Sequence, residues 1–191
     1  MTREPLDPRH PTRHTIWTPI LDHIQDRVFG ACSSRLNTRD LYIRNAIENA
    51  DHKQKAPLVH QAVLQFRDMA MCAGNRPIMI LCFGQFAFEF ARRACDEPSS
   101  SSDLWGEWRV EELGREFQRR VACVSPERVT ALPLLHAIVA RRFDECHGKF
   151  VQEETGENYF EYVGRHLASA LITHRSTTRL MPLFRSARLP A

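Results

Sequence analysis

The sequence lacks most of the devices that announce a function. Its six cysteines, Cys32, Cys72, Cys82, Cys95, Cys123 and Cys146, are scattered, with no Cys-x-x-Cys pair and no clustered spacing. That excludes a zinc ribbon and a disulfide framework, and it predicts reduced, mostly buried thiols. Cys146-His147 stands without a second ligand pair nearby, and adjacent side chains point in different directions, so no metal and no other cofactor is expected. Gly84 stands alone rather than in a glycine-rich loop, which leaves a nucleoside triphosphate or a dinucleotide without its usual cradle. Neither Ser125 nor Cys123 has the glycine-flanked setting of a hydrolase nucleophile. No segment approaches the roughly 18 uncharged apolar residues of a membrane span. The amino terminus lacks the basic start and apolar block of a secretory signal, so the expectation is a cytoplasmic chain with no membrane partner.

What is present fits one domain of ordinary size. Apolar residues make up 43% and charged residues 26% of the 191, a globular balance long enough for a sheet covered by helices. The formal charge of +3 is modest, yet arginines recur as Arg92-Arg93, Arg115, Arg119-Arg120 and Arg141-Arg142. The tail adds Arg175, Arg179, Arg185 and Arg188, with no acid after Glu161. Each pair reads either as a solvated face or as part of a nucleic-acid footprint, and clustering on one surface decides between them.

Residues 1–14, rich in proline and charge, read as an extended arm, 15–172 as a single α/β domain, and 173–191 as a basic, loosely ordered tail. A helix is predicted over 15–29, with Ile16, Ile20, Ile24 and Val28 on one stripe and Gly30 closing it. A short strand follows over 40–47, then a helix over 57–72 with Leu58, Ala62, Phe66 and Met69 on one face. The run 78–83 carries no polar side chain and reads as a strand buried on both faces, ended by Gly84 and followed by a helix over 85–95. After a serine-rich loop at 96–103, Leu113, Phe117 and Val121 are in phase on a helix over 110–121. A strand over 129–135, a loop over 143–150 and a helix over 157–172 with Phe160, Val163, Leu167 and Leu171 complete the chain. Strands alternating with helices imply βαβ units, a parallel sheet and right-handed crossovers.

The stretch 129–136 is an apolar run ending abruptly in His136. A strand that delivers an imidazole at its carboxyl end places it where open α/β folds bind ligands. The other reading is a histidine that caps the strand or sits satisfied in the core. Its neighbours decide. Asn45 follows Leu41-Tyr42-Ile43, Gly84 follows the buried run, and His136 follows Leu132 to Leu135. In this order and setting the three strand ends resemble the uracil-DNA glycosylase superfamily, over roughly residues 16–172. Leu41-Tyr42-Ile43-Arg44-Asn45-Ala46-Ile47 is similar to the family's strand with the base-reading asparagine. Ile80-Leu81-Cys82-Phe83-Gly84-Gln85-Phe86-Ala87 is similar to its next strand. Leu134-Leu135-His136, with Cys146-His147-Gly148-Lys149-Phe150 and Asn158 behind it, resembles the catalytic-histidine loop.

The resemblance implies a three-layer αβα sandwich with a small parallel sheet, and a protein that reads a base flipped out of DNA and hydrolyses its N-glycosidic bond. A base must leave the duplex to be reached, and an asparagine amide offers one donor and one acceptor side by side. Asn45 would be the selector and His136 the donor that stabilises charge on the departing uracil. The loop where the family stacks the flipped base has no obvious aromatic residue here. Phe83 would stack on the base only if its side chain faces the crevice, and Gly84 would line that crevice. The chain departs from the family in two places. It begins after the first strand, leaving Asp7 in Asp7-Pro8-Arg9-His10 as a faint echo of the water-positioning loop. Ala137-Ile138 stands where the family has proline and serine, so Ile138 reads either as a wedge between base steps or as core, and Arg141 and Arg142 would replace the lost phosphate contact. The alternative is a fold relative that has lost catalysis and serves as a nucleic-acid-binding or protein-interaction module.

Overall fold

The computed structural model describes residues 17–37, 44, 46–47, 51, 56–71, 77–95, 97, 108–140, 143–151 and 156–186. The chain is a mixed α/β protein in which helices dominate. Its elements are α1 (Thr18–Cys32), β1 (Ser34–Leu36), α2 (Ala56–Met71), β2 (Met79–Phe83), α3 (Gln85–Ala94), α4 (Val110–Val121), β3 (Thr130–Leu134), α5 (Ala137–Ala140), α6 (Phe143–Phe150), α7 (Tyr159–Thr173) and β4 (Phe184–Ser186).

The organising pair is β2 and β3, which run parallel with Met79 opposite Thr130 and Phe83 opposite Leu134. All five residues of β3 are buried, whereas in β2 only Cys82 is, so the burial on both faces expected of the 78–83 run fails. The reason is the cover. Helix α3 packs on both strands, and α4 adds a second cover over β3. A parallel pair needs a long crossover, and here α3 and α4 together supply it.

Helix α1 buries Ile20, Ile24 and Val28 four apart, as the periodicity predicts. It does not stop at Gly30, which lies exposed within it. Ser33 ends it in the left-handed region at φ 49°, with its N–H donating to the Phe29 carbonyl at 2.8 Å. On α2 the buried stripe is Val59, Val63, Phe66 and Ala70, one position round from the expected face, and Met69 is 41% exposed. The two stripes share Phe66, and the structure turns the β-branched valines inward against Phe86, Phe90 and Ala94 of α3 and against Ile47. Most of the strand expected over 40–47 lies outside the described residues. Ala46 and Ile47 form a bend there.

Two further expectations are corrected. The segment 143–150 is helix, docked on α4 and α5. The tail beyond Thr173 is partly ordered, since β4 pairs antiparallel with β1 and the buried Leu180 joins the main core. The Asn37 N–H donates to the Leu183 carbonyl at 2.7 Å, and the Arg179 guanidinium donates to the Pro126 carbonyl.

Gly114 marks the tightest approach between α4 and α6, because a Cβ there would stand 2.2 Å from the Phe150 carbonyl oxygen. Gly30 faces open space, with nothing within 4 Å of its missing Cβ. The two glycines therefore respond oppositely to alanine. Gly30→Ala should raise stability by about 0.5–1 kcal/mol through helix propensity. Gly114→Ala should lower it by about 1–3 kcal/mol, because backbone has to move. Urea unfolding midpoints of the two variants check both signs.

Candidate functional site

At the carboxyl ends of the parallel pair the chain leaves both strands at once. After β2, Gly84 adopts φ 94° and ψ 164°, a conformation open to glycine and strained for other residues. Its N–H donates to the Leu134 carbonyl at 2.7 Å, which extends the ladder one step beyond the strands. After β3, Leu135 is buried and His136 is exposed. A Cβ on Gly84 would stand 3.0 Å from the His136 Cβ and 3.4 Å from Cδ2. The imidazole thus lies over the glycine, in a place only a residue without a side chain leaves open. The His136 carbonyl caps the short α5 by accepting from the Val139 and Ala140 N–H groups at 2.9 and 2.8 Å.

Of the residues picked out from sequence, Gly84 and His136 are brought together. Phe83 adjoins them, half-buried and edge-on to Trp17 with 6.3 Å between ring centroids. Asp7, Asn45, Arg141 and Arg142 lie outside the described residues, and Ile138 is described only as backbone within α5. Asn158, aligned with the segment behind the histidine, is a helix cap. Its side chain accepts from the N–H groups of Phe160 and Glu161 at 2.9 and 3.1 Å, and Glu161 accepts from the Asn158 N–H in return.

Sequence reasoning passed over Tyr159 and did not foresee the role of His147 behind His136. The Tyr159 hydroxyl, wholly buried at the start of α7, accepts the Leu135 N–H at 2.9 Å. Burial pushes its ionisation well above the ordinary phenol range, against a smaller opposing pull from that bond, so it stays neutral. His147 on α6 is buried with both ring nitrogens engaged. It is part of the fold rather than half of a metal pair. The available signal was an aromatic pair, Tyr159-Phe160, directly after a capping asparagine.

The arginine pairs also sort themselves. Glu89, 2% exposed, accepts from Arg92 at 2.9 Å, Arg93 at 3.2 Å and the Trp108 indole at 3.5 Å. Arg120, 8% exposed, grips Glu97 with two bonds at 2.8 and 2.6 Å and Glu116 with one at 2.7 Å. It also stacks over Phe88 at 5.0 Å. Arg92, Arg93 and Arg120 are therefore internal ion-pair partners, neither a solvated face nor a nucleic-acid footprint.

Cys82 is a buried thiol that burial drives far from ionisation. Cys32, Cys95 and Cys146 are half-buried, Cys123 is exposed, and none of these described cysteines forms a disulfide. Among the described residues no group of three His, Cys, Asp or Glu is arranged to hold a metal ion, and no helix is long and apolar enough to cross a membrane. The chain matches no family model, no curated protein and no solved structure.

The ion-pair cluster has a definite pH signature. For Glu97, burial raises the carboxyl, but the hydrogen bonds and charges of Arg120 and Arg92 outweigh it and hold the group below its usual range. Glu116 is held down in the same way by Arg119 and Arg120. A depressed folded-state carboxylate stabilises fully above the unfolded value of about 4.3 and ceases to as pH falls through the lower folded value. The urea midpoint should therefore be level from pH 7 to about 5 and fall below about pH 4. Glu97→Gln should flatten part of that acid limb, and an unchanged limb would count against the assignment.

Proposed function

We propose that the chain is a uracil-DNA glycosylase-like protein, a three-layer αβα sandwich that takes a flipped base into the crevice above β2 and β3. The observation that carries this reading is the exposed His136 at the end of a wholly buried strand, laid over a left-handed glycine at the end of its parallel neighbour. Loops beyond the carboxyl ends of adjacent parallel strands are where open α/β folds hold ligands.

In this reading His136 donates to the uracil oxygen on which charge gathers as the bond from the base to C1′ breaks. A water molecule supplies hydroxide to C1′ and its proton goes to the base. Asn45 reads the Watson-Crick edge, Phe83 and Gly84 border the base, and Asp7 orients the water. Ile138 enters the stack, and Arg141 and Arg142 meet phosphate. The reading requires the 40–47 segment to add beside β2, because the other edge of β3 is taken. Arg120 donates to the Ala131 carbonyl there at 3.4 Å, Pro133 has no N–H, and Tyr159 holds the Leu135 N–H.

Wild-type protein should release free uracil from single-stranded or mismatched uracil-containing DNA without added metal. His136→Ala should reduce the rate by about 100-fold or more, as loss of one transition-state donor does, and Asn45→Ala should abolish the preference for uracil. Salt-dependent binding of the same DNA without base release would identify the non-catalytic alternative, and neutralising Arg141 and Arg142 should then flatten the salt slope. The absence of both base release and DNA binding would overturn the proposal.

A further inference from the structure

His136 is exposed, yet the backbone that carries it is tied down on every side. Before it, the Leu134 carbonyl accepts from Gly84 and the Leu135 N–H donates to the Tyr159 hydroxyl at 2.9 Å. After it, the Ala140 carbonyl is 2.9 Å from Nε2 of His147. The Tyr159 N–H in turn points at Nδ1 of His147, at 3.4 Å. A carbonyl can only accept and an amide N–H can only donate. The network therefore assigns the proton of His147 to Nε2 and leaves a lone pair on Nδ1. The two rings also touch, with centroids 5.2 Å apart.

The segment 135–140 is thus gripped at its first amide by the Tyr159 hydroxyl and at its last carbonyl by the His147 ring, and the Tyr159 backbone N–H bonds that same ring. We infer that Tyr159 and His147 are the positioning residues of this site, a two-point clamp that fixes the direction in which His136 is presented over Gly84. The inference rests on the reading of His136 as the group that meets the ligand. The choice of residues argues for more than filling space. A buried hydroxyl and a buried imidazole are each costly unless bonded, phenylalanine and leucine would pack the same volumes, and the Tyr159 hydroxyl and Nε2 of His147 each bond the short segment that bears the exposed histidine.

The test compares Tyr159→Phe, which keeps the ring and removes the acceptor, with Val63→Ala in the separate core between α2 and α3. In the wild-type protein the Leu135 amide should exchange with solvent as slowly as that of Leu132 inside β3. In Tyr159→Phe it should exchange about tenfold faster or more, and the His136 imidazole resonances should move. In Val63→Ala, stability should fall with the His136 resonances in place. A fast Leu135 amide in the wild-type chain overturns the clamp without any variant. So do His136 resonances that stay put in Tyr159→Phe, or that move equally in both variants.

Where the wild-type chain releases uracil, Tyr159→Phe should lower kcat by about 10- to 100-fold and leave KM within about twofold. A change confined to KM overturns the positioning role. Absence of uracil release from the wild-type chain counts against the glycosylase reading, while exchange and resonance data still decide the clamp by themselves.

Discussion

The parallel register of Met79–Phe83 on Thr130–Leu134 is the constraint from which the other placements follow. With a side-chain period of two, the ladder groups of Thr130, Leu132 and Leu134 face β2, and those of Ala131, Pro133 and Leu135 face the other way. The Thr130 N–H reaches the Ile78 carbonyl at 2.9 Å, and the Leu134 carbonyl receives Gly84, in keeping with that alternation. The outward edge of β3 is closed by side chains rather than by a strand. Arg120 takes one carbonyl, proline removes one donor, and Tyr159 takes the last amide. This is how the strand is wholly buried with one strand partner among the described residues. It is also why proline is tolerated in the middle of it.

The side chains that close the edge bring their own requirements. Arg120 is drawn inward by the Ala131 carbonyl and the Phe88 ring, and a cation this buried must be paired. Glu97 and Glu116 meet the need, and Arg92 links Glu97 to Glu89 and so to Trp108. The cluster ties α3, α4, β3 and the residues at either end of 97–108 into one body. It also changes the meaning of the arginine content. Charge that looked available for phosphate in the sequence is spent neutralising buried acids, so any anion-binding surface has to be built from other cations.

Periodicity made most of the helices legible, because a stripe such as Leu113, Phe117 and Val121 depends on neighbours within the same segment. The two strands could be read from their unbroken apolar runs. What could not be read depended on partners distant in sequence. The burial stripe of α2 turned by one position because Phe86 and Phe90 of α3 present themselves to Val59 and Val63. The segment 143–150 looks like a loop alone and becomes a helix where His147 can bond Ala140 and Tyr159. The tail orders because β1, an element with no signal of its own in Ser34-Arg35-Leu36, gives it an edge. At the site, His136 and Gly84 were both legible as strand ends. Their contact was not, and neither was the support behind them.

Several local rules are broken around one strand end, and their clustering is itself informative. Gly84 holds a backbone angle that excludes side chains, Tyr159 buries a hydroxyl, and His147 buries an imidazole. Each is unfavourable alone, and each is stabilised by a bond to the few residues flanking His136 or, for Gly84, by the space it leaves for that ring. A chain selected only to fold would fill these positions with apolar side chains and let the strand end fray. Here the backbone at the strand end is rigid and the side chain it carries is left exposed. Local costs that converge on a preorganised, accessible group are what a binding or reacting site demands. That convergence on His136 is the structural support for the proposed reading of this strand end as the place where a ligand is met.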